Sequence, residues 1–201
     1  IIGTVLAAIG GVLSGPATAH AVQTGMTAQM AHDPQFAQMT LEKQKQMLGV
    51  ASSFAKFGWV FVPIFLVIIG LIQSVVMLIA NAMNRGEGTF KQFWAAAINI
   101  GVVTFGVSYL FVGIIAMLRG PQSYTNTAAI ASSLPSAAWL VPHAGVKAMT
   151  FLSGINPFSI WGIFLIALAL IVIARVSKAI AYGAGIFLML FSSAFGAIFA
   201  K

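Results

Sequence analysis

The chain has no cysteine and very little charge: Asp, Glu, Lys and Arg together make up 6% of it. The first absence excludes disulfides, thiolate metal sites and cysteine nucleophiles, and it leaves the redox compartment open. The second excludes an ordinary soluble domain, in which about a quarter of residues are charged. Carboxylates are the scarcest charged groups, with only Asp33, Glu42 and Glu87 in 201 residues. A paired acid–base mechanism needs two of them at one substrate, and Glu87 is expected on the opposite side of a membrane from the other two. No enzyme, catalytic residue or cofactor is therefore expected.

What fills the space is apolar. Hydrophobic residues are 60% of the chain, and they gather into runs over 1–13, 57–83, 93–118, 158–174 and 179–200. Every charged residue falls outside these runs, between them or, for Lys201, after the last. A bilayer span takes about 20 apolar residues, and lipid forces each span to satisfy its own backbone hydrogen bonds, so the runs are helices. No period-two alternation of the barrel kind is present. The expected fold is all-α: a polytopic transmembrane bundle of about five spans, with short amphipathic surface helices, forming one domain over 1–201. Because Ile1 already lies inside an apolar run, the first span is expected to be truncated at its N-terminus.

The stretch 22–53 is different, being rich in Gln, Met and Ala. Asp33-Pro34 has the form of an N-cap followed by proline at the first helical position, and Thr40-Leu41-Glu42 reads as a second helix start. With Phe36, Met39, Leu41, Met47, Leu48 and Val50 spaced loosely for one face, the expectation is one or two amphipathic helices on the membrane surface. Another short helix is expected over 144–152, after a Ser/Ala/Pro-rich stretch whose Trp139 suits the interface.

The formal net charge of +7 comes from basic residues scattered through loops, without the dense patch that nucleic acid requires. Membrane lipid headgroups are the expected partners of this charge. Basic density is highest in the short loops, with Arg85 and Lys91 in one and Arg175 and Lys178 in the other. These four should set topology, placing both loops and the N-terminus in the cytoplasm and 22–53 and 119–157 outside.

Candidate sites are few. His20, Met26, Met30 and His32 offer imidazole and thioether ligands of the kind that suits Cu(I). Their spacing is irregular, and methionine is common on adaptable helix faces, so a surface or partner groove is the expected use. His143 stands alone in a loop. Gly86-Glu87-Gly88 and Gly183-Ala184-Gly185 lack the strand and third glycine of a phosphate-binding loop; a turn and a close-packing site are expected. Small residues recur four apart at Gly3, Ala7 and Gly11, at Ala97 and Gly101, and at Ser192 and Gly196, where helix backbones can approach each other or a partner. Gln73, Ser74, Asn81, Asn99, Thr104, Ser108 and Tyr109 fall at or near membrane depth. They suit interhelical hydrogen bonds; the other reading is a polar path for a small solute or lipid.

The run Asn156-Pro157-Phe158-Ser159-Ile160-Trp161-Gly162-Ile163-Phe164 resembles the bacterial branch of the Yip (Ypt-interacting protein) family of five-span membrane proteins. So do the basic turn 175–178, the Gln-rich 40–47 ahead of a long second span, and the short loop 84–92 leading through Phe90 and Phe93 into the third. The likeness runs along nearly the whole chain and rests on pattern and length. The acidic, glycine- and proline-bearing motif of the eukaryotic members has no counterpart here, so their trafficking role does not carry over. The resemblance implies a bacterial inner-membrane protein acting as an accessory subunit beside ABC-type exporters. The expected function is an accessory or scaffolding subunit, with Phe158 and Trp161 packing helices or contacting a partner and a homo-oligomer open. The alternatives are a small channel or carrier and a membrane-shaping protein.

Overall fold

The computed structural model describes residues 2–32, 36, 39–141 and 143–200, the side chains of His32, Ala131 and Phe199 excepted. The expected helix start at Asp33-Pro34 lies outside them. Among the described residues there are helices and turns and no strand. Helix α1 is Ile2–His32. Helix α2, Leu41–Phe57, passes through a 3-10 turn at Gly58–Phe61 into α3, Val62–Met83. Helix α4, Phe90–Gly101, passes through a π-helical turn at Val102–Val107 into α5, Ser108–Arg119. Short helices α6 (Thr127–Ala131) and α7 (Val146–Ser153) precede α8 (Pro157–Ala174) and α9 (Lys178–Phe199). Five stretches are long and apolar enough to cross a membrane: Ile2–Ala31, Leu41–Met83, Phe90–Arg119, Pro157–Ala174 and Lys178–Ile198. The protein is membrane-embedded and multi-pass.

The helix ends follow from local chemistry. Asn156 caps α8, its Oδ1 accepting from the backbone N–H of Phe158 and Ser159 at 3.0 and 3.1 Å, while Ser159 Oγ accepts from the Asn156 N–H at 2.9 Å. Pro157 sits in the first turn, where its missing N–H costs nothing. Gln92 Oε1 reaches back to the Thr89 N–H at 2.9 Å and starts α4 in the same manner. Gly120 ends α5 at φ 78°, a backbone region few side chains tolerate.

Two cores result. The larger joins α3, α4, α8 and α9 through Met77, Phe93, Ile100, Ile166, Leu170 and Leu188. The smaller joins α1 to α5 and the loop beyond it through Ala17, Ala21, Ala116, Tyr124 and Ile130. Inside the bilayer such contacts gain dispersion and shape fit, because lipid chains are as apolar as the side chains they replace.

Along α1 the buried positions are Gly3, Ala7, Gly10, Ser14, Gly15, Ala17 and Ala21; Gly15 lies against Lys56 of α2, and the others form one series. They alternate in steps of three and four, the period of a left-handed helix pair, and all are small. On the facing helix, a Cβ on Gly106 would lie 2.7 Å from Gly3 O, and one on Gly113 would lie 2.7 Å from Gly10 Cα. Both numbers rise together along the contact, so the first and third spans run parallel. A chain that crosses the bilayer at each span requires that of spans one and three.

The stretch 22–53 corrects one expectation. The helix start at Thr40-Leu41-Glu42 is present, α2 beginning at Leu41 with Glu42 in its first turn, but the helices are not short isolated elements: α1 continues unbroken through residue 32, and α2 leads through the 3-10 turn into the second span. The segment folds as an antiparallel hairpin, with Gly11 of α1 against Trp59 and Gly15 against Lys56. The reason is local. Ala, Gln and Met are strong helix formers, and α1 holds no proline beyond Pro16 to stop it.

Candidate functional site

The basic residues mark two levels along the bundle. Lys56 and Arg85 bracket the second span 29 residues apart, about 43 Å at 1.5 Å per residue. Lys91 and Arg119 bracket the third span 28 residues apart, about 42 Å. Each distance matches the roughly 40–45 Å of a bilayer with its headgroups. Lys56 and Arg119 thus form a collar at one end, and Arg85, Lys91, Arg175 and Lys178 form one at the other.

Helix α2 reaches past the Lys56 collar by 15 residues, Leu41 to Ala55, or about 22 Å. No residue of α2 is buried. One face leans on α1, and the opposite face presents Met47, Val50, Phe54 and Phe57, exposed at 37, 53, 67 and 56%. The tip is tied by Gln44, whose Nε2 donates to Phe36 O at 2.8 Å. The base of the hairpin is braced by Tyr124, 1% exposed, whose backbone carbonyl lies 3.1 Å from His20 Nδ1 and whose hydroxyl accepts from Ser133 Oγ at 3.2 Å. Beyond the bilayer, an exposed apolar stripe of this kind is a contact surface in search of a cover.

The residues expected to pack helices divide between interior and surface. Gly3, Ala7, Ala97 and Gly101 are buried, and Gly11 abuts the Trp59 Cβ. Phe158 packs on Phe111 with ring centroids 5.5 Å apart. Trp161 faces outward, 55% exposed; at that level the interior contact is made by its neighbour Gly162, where a Cβ would lie 2.7 Å from Thr104 Cγ2. Ser192 and Gly196 also face outward, and the buried neighbour Ser193 is the one that meets Gly154. Gly183 has open space around it, whereas Gly185 packs tightly, a Cβ there lying 2.9 Å from Ile163 Cγ2. Gly106 and Gly113 are the packing residues that a search for four-residue spacing passes over.

At the other collar, the turn 84–89 is clasped to the end of α8. Asn81, 8% exposed, donates from Nδ2 to Gly88 O at 3.1 Å and accepts at Oδ1 from the Gly88 N–H at 3.0 Å. The Glu87 N–H donates to Ala174 O at 3.2 Å. Glycines 86 and 88 are needed for this approach, since a Cβ on Gly86 would lie 2.6 Å from Ala174 O. Arg175 ends α8 in the left-handed region at φ 53° and reaches Glu87 at 3.6 Å, a pair too exposed to add much stability. Gly86-Glu87-Gly88 is thus a packed inter-span turn.

His20 spends Nδ1 on the Tyr124 carbonyl, which leaves only Nε2 free to bind a metal. His143 is exposed in its loop. No group of three His, Cys, Asp or Glu suited to a metal ion is found among the described residues. The membrane-depth hydroxyls and amides mostly bond within their own helix: Ser74 to Gly70 O, Asn99 to Ala95 O, Thr104 to Ile100 O and Ser108 to Thr104 O. Gln73 is different, because its Oε1 is buried without a partner.

Comparison of the chain with family models, with curated proteins and with solved structures returns no match.

Proposed function

We propose that this protein is a non-catalytic integral membrane subunit that works by contact, as an accessory or scaffolding component of a larger membrane complex. One observation carries this reading: Met47, Val50 and Phe54 form an exposed apolar stripe on a helix that stands beyond the headgroup collar. Lipid cannot reach side chains there, and water is a poor neighbour for them, so a protein surface is the fitting cover. The resemblance to bacterial Yip-type proteins directs the reading toward an ABC-type export assembly in the inner membrane. The crowding of Arg85, Lys91, Arg175 and Lys178 at one end supports a cytoplasmic N-terminus.

Affinity capture from native membranes in mild detergent, followed by mass spectrometry, tests the proposal. Stoichiometric recovery of other membrane proteins is expected, and exporter subunits among them would extend the reading to export. Recovery of this chain alone overturns the accessory role. Transport has one point in its favour, the unpartnered carbonyl of Gln73 at membrane depth. Solute flux through vesicles reconstituted with the pure protein would move the weight to that reading.

A further inference from the structure

Helix α8 starts well short of the collar that ends the second and third spans. Two contacts set its register against the third span. A Cβ on Gly162 would lie 2.7 Å from Thr104 Cγ2, and Phe158 packs on Phe111 with ring centroids 5.5 Å apart. From Thr104 the third span climbs 15 residues to Arg119, about 22 Å, whereas α8 extends only six residues above Gly162 to Asn156, about 9 Å. The Phe pair gives eight residues against two, about 12 Å against 3 Å. Asn156 therefore lies about 9–13 Å below Arg119. A headgroup layer is about 5–8 Å deep, so Asn156 is inside the hydrocarbon.

The residues before Asn156 share that depth. Gly154 packs on Ser193, and a Cβ on Gly196 would lie 3.7 Å from Thr150 Cγ2. Positions 193 and 196 belong to the fifth span. The numbers fall on α7 as they rise on α9, so α7 stands upright and descends from Val146 to Ser153. Lys147 is six residues above Ser153, or about 9 Å, which returns it to the level of Arg119. The Ala137 N–H donates to Ile155 O at 3.0 Å, which ties the 3-10 turn Ala137–Leu140 to the start of α8. Leu140 is three residues from Ala137, at most about 6 Å along such a turn, and stays below the collar.

We propose that residues 137–155 form a re-entrant segment embedded in the leaflet at the Lys56–Arg119 end, its apolar tip covered by the phospholipids of that leaflet. Lys147 and Arg175, 28 residues apart like Lys91 and Arg119, then bracket a fourth crossing made of two helices, α7 and α8, with a break at 154–156. Trp139, Leu140, Val141 and Val146 are exposed at 54, 84, 48 and 43%. At this depth lipid is their neighbour. Phe195 and Ile198, exposed on α9 at the level of α7, are lipid-facing residues of the fifth span, and the tip continues that surface. Irregular backbone is tolerated at membrane depth where the protein supplies its polar partners. Asn156 caps α8 and donates from Nδ2 to Ser153 O at 3.1 Å, and the Trp139 indole donates to Ser132 O at 3.0 Å. Ser136 Oγ, buried beside the segment, is the exception. Charge agrees with the placement. No carboxylate occurs between Arg119 and Arg175, and the two basic side chains there, His143 and Lys147, lie between the tip and the top of α7. The long stem of Lys147 carries its ammonium to the headgroup phosphates.

The chain's lack of cysteine makes the test direct. A nitroxide is attached to one engineered thiol at a time, and the protein is reconstituted in phospholipid vesicles. Leu140→Cys and Val141→Cys report on the tip. Phe187→Cys, an exposed position within the fifth span, is the lipid reference, and Gln122→Cys, exposed beyond Arg119, is the water reference. Spin relaxation by oxygen, which concentrates in lipid, is compared with relaxation by a neutral nickel chelate, which stays in water. The oxygen-to-nickel ratio at 140 and 141 should exceed that at 122 several-fold and approach that at 187. A ratio equal to that at 122 overturns the embedding. Protection from both reagents shows a polypeptide over the tip and overturns lipid as its cover.

Discussion

Asn81 is a polar residue on an apolar helix, and its neighbours explain why. Its amide satisfies both the N–H and the C=O of Gly88 inside the clasp that joins the second, third and fourth spans. Leucine would fill similar space and leave both backbone groups unpaired. Asn81→Leu should therefore lower stability by about 2 kcal/mol, roughly one for each lost bond. Glu87→Gln, which breaks only an exposed ion pair, should change it by less than about 0.5 kcal/mol. Unfolding followed in mixed micelles compares the two, and equal effects would remove Asn81 from its structural role. In the sequence Asn81 was one of several polar residues at depth. Its partner lies across a turn whose path depends on Ala174, 93 positions further along, and no local spacing announces that.

At the scale of the helix, the seam between the first and third spans is made of absent side chains. Gly10 and Gly113 bring the two backbones together so closely that a Cβ on either would overlap the other helix. Gly10→Leu or Gly113→Leu should force the helices apart and cost about 1–3 kcal/mol. Gly183→Leu, placed in open space, serves as the control. The expected result is a lower unfolding midpoint for the first two and an unchanged one for the third; three equal midpoints would deny the seam. Spacing by four in the sequence finds Gly3, Ala7 and Gly11, whereas the buried set, apart from Gly15 which faces α2, alternates three and four. That alternation, 3, 7, 10, 14, 17 and 21, could be read from the sequence by asking for a heptad of small residues. Its counterpart on the third span could not, because the π-helical turn at Val102–Val107 shifts the face that follows it.

For the whole molecule, the proposed orientation rests on the charges. Arg85, Lys91, Arg175 and Lys178 share one end, opposite Lys43, Lys45, Lys56, Arg119 and Lys147. The rule that basic short loops stay in the cytoplasm acts on density near the spans, and the first end has the shorter loops. Converting the four to Gln should give mixed or inverted insertion, read by a reporter fused after Lys201. If that reporter stays wholly outside, these residues do not set topology. The collar of Lys56 and Arg119 is also where the molecule departs from a simple bundle. A surface-lying amphipathic helix and an upright hairpin share one composition, and the choice between them was made by packing of α2 on α1.

The sequence by itself determined the solvent, the helical class, the places where the chain crosses and the positions of its charges. A bilayer imposes these limits along one dimension, as run length and as the penalty on a polar group at depth, so a linear string suffices to express them. Tertiary structure alone decided which glycines touch and which side of α2 meets α1. Those depend on angular phase. A four-residue 3-10 turn in one span and a six-residue π turn in another reset that phase without leaving a clear mark in the composition of either helix.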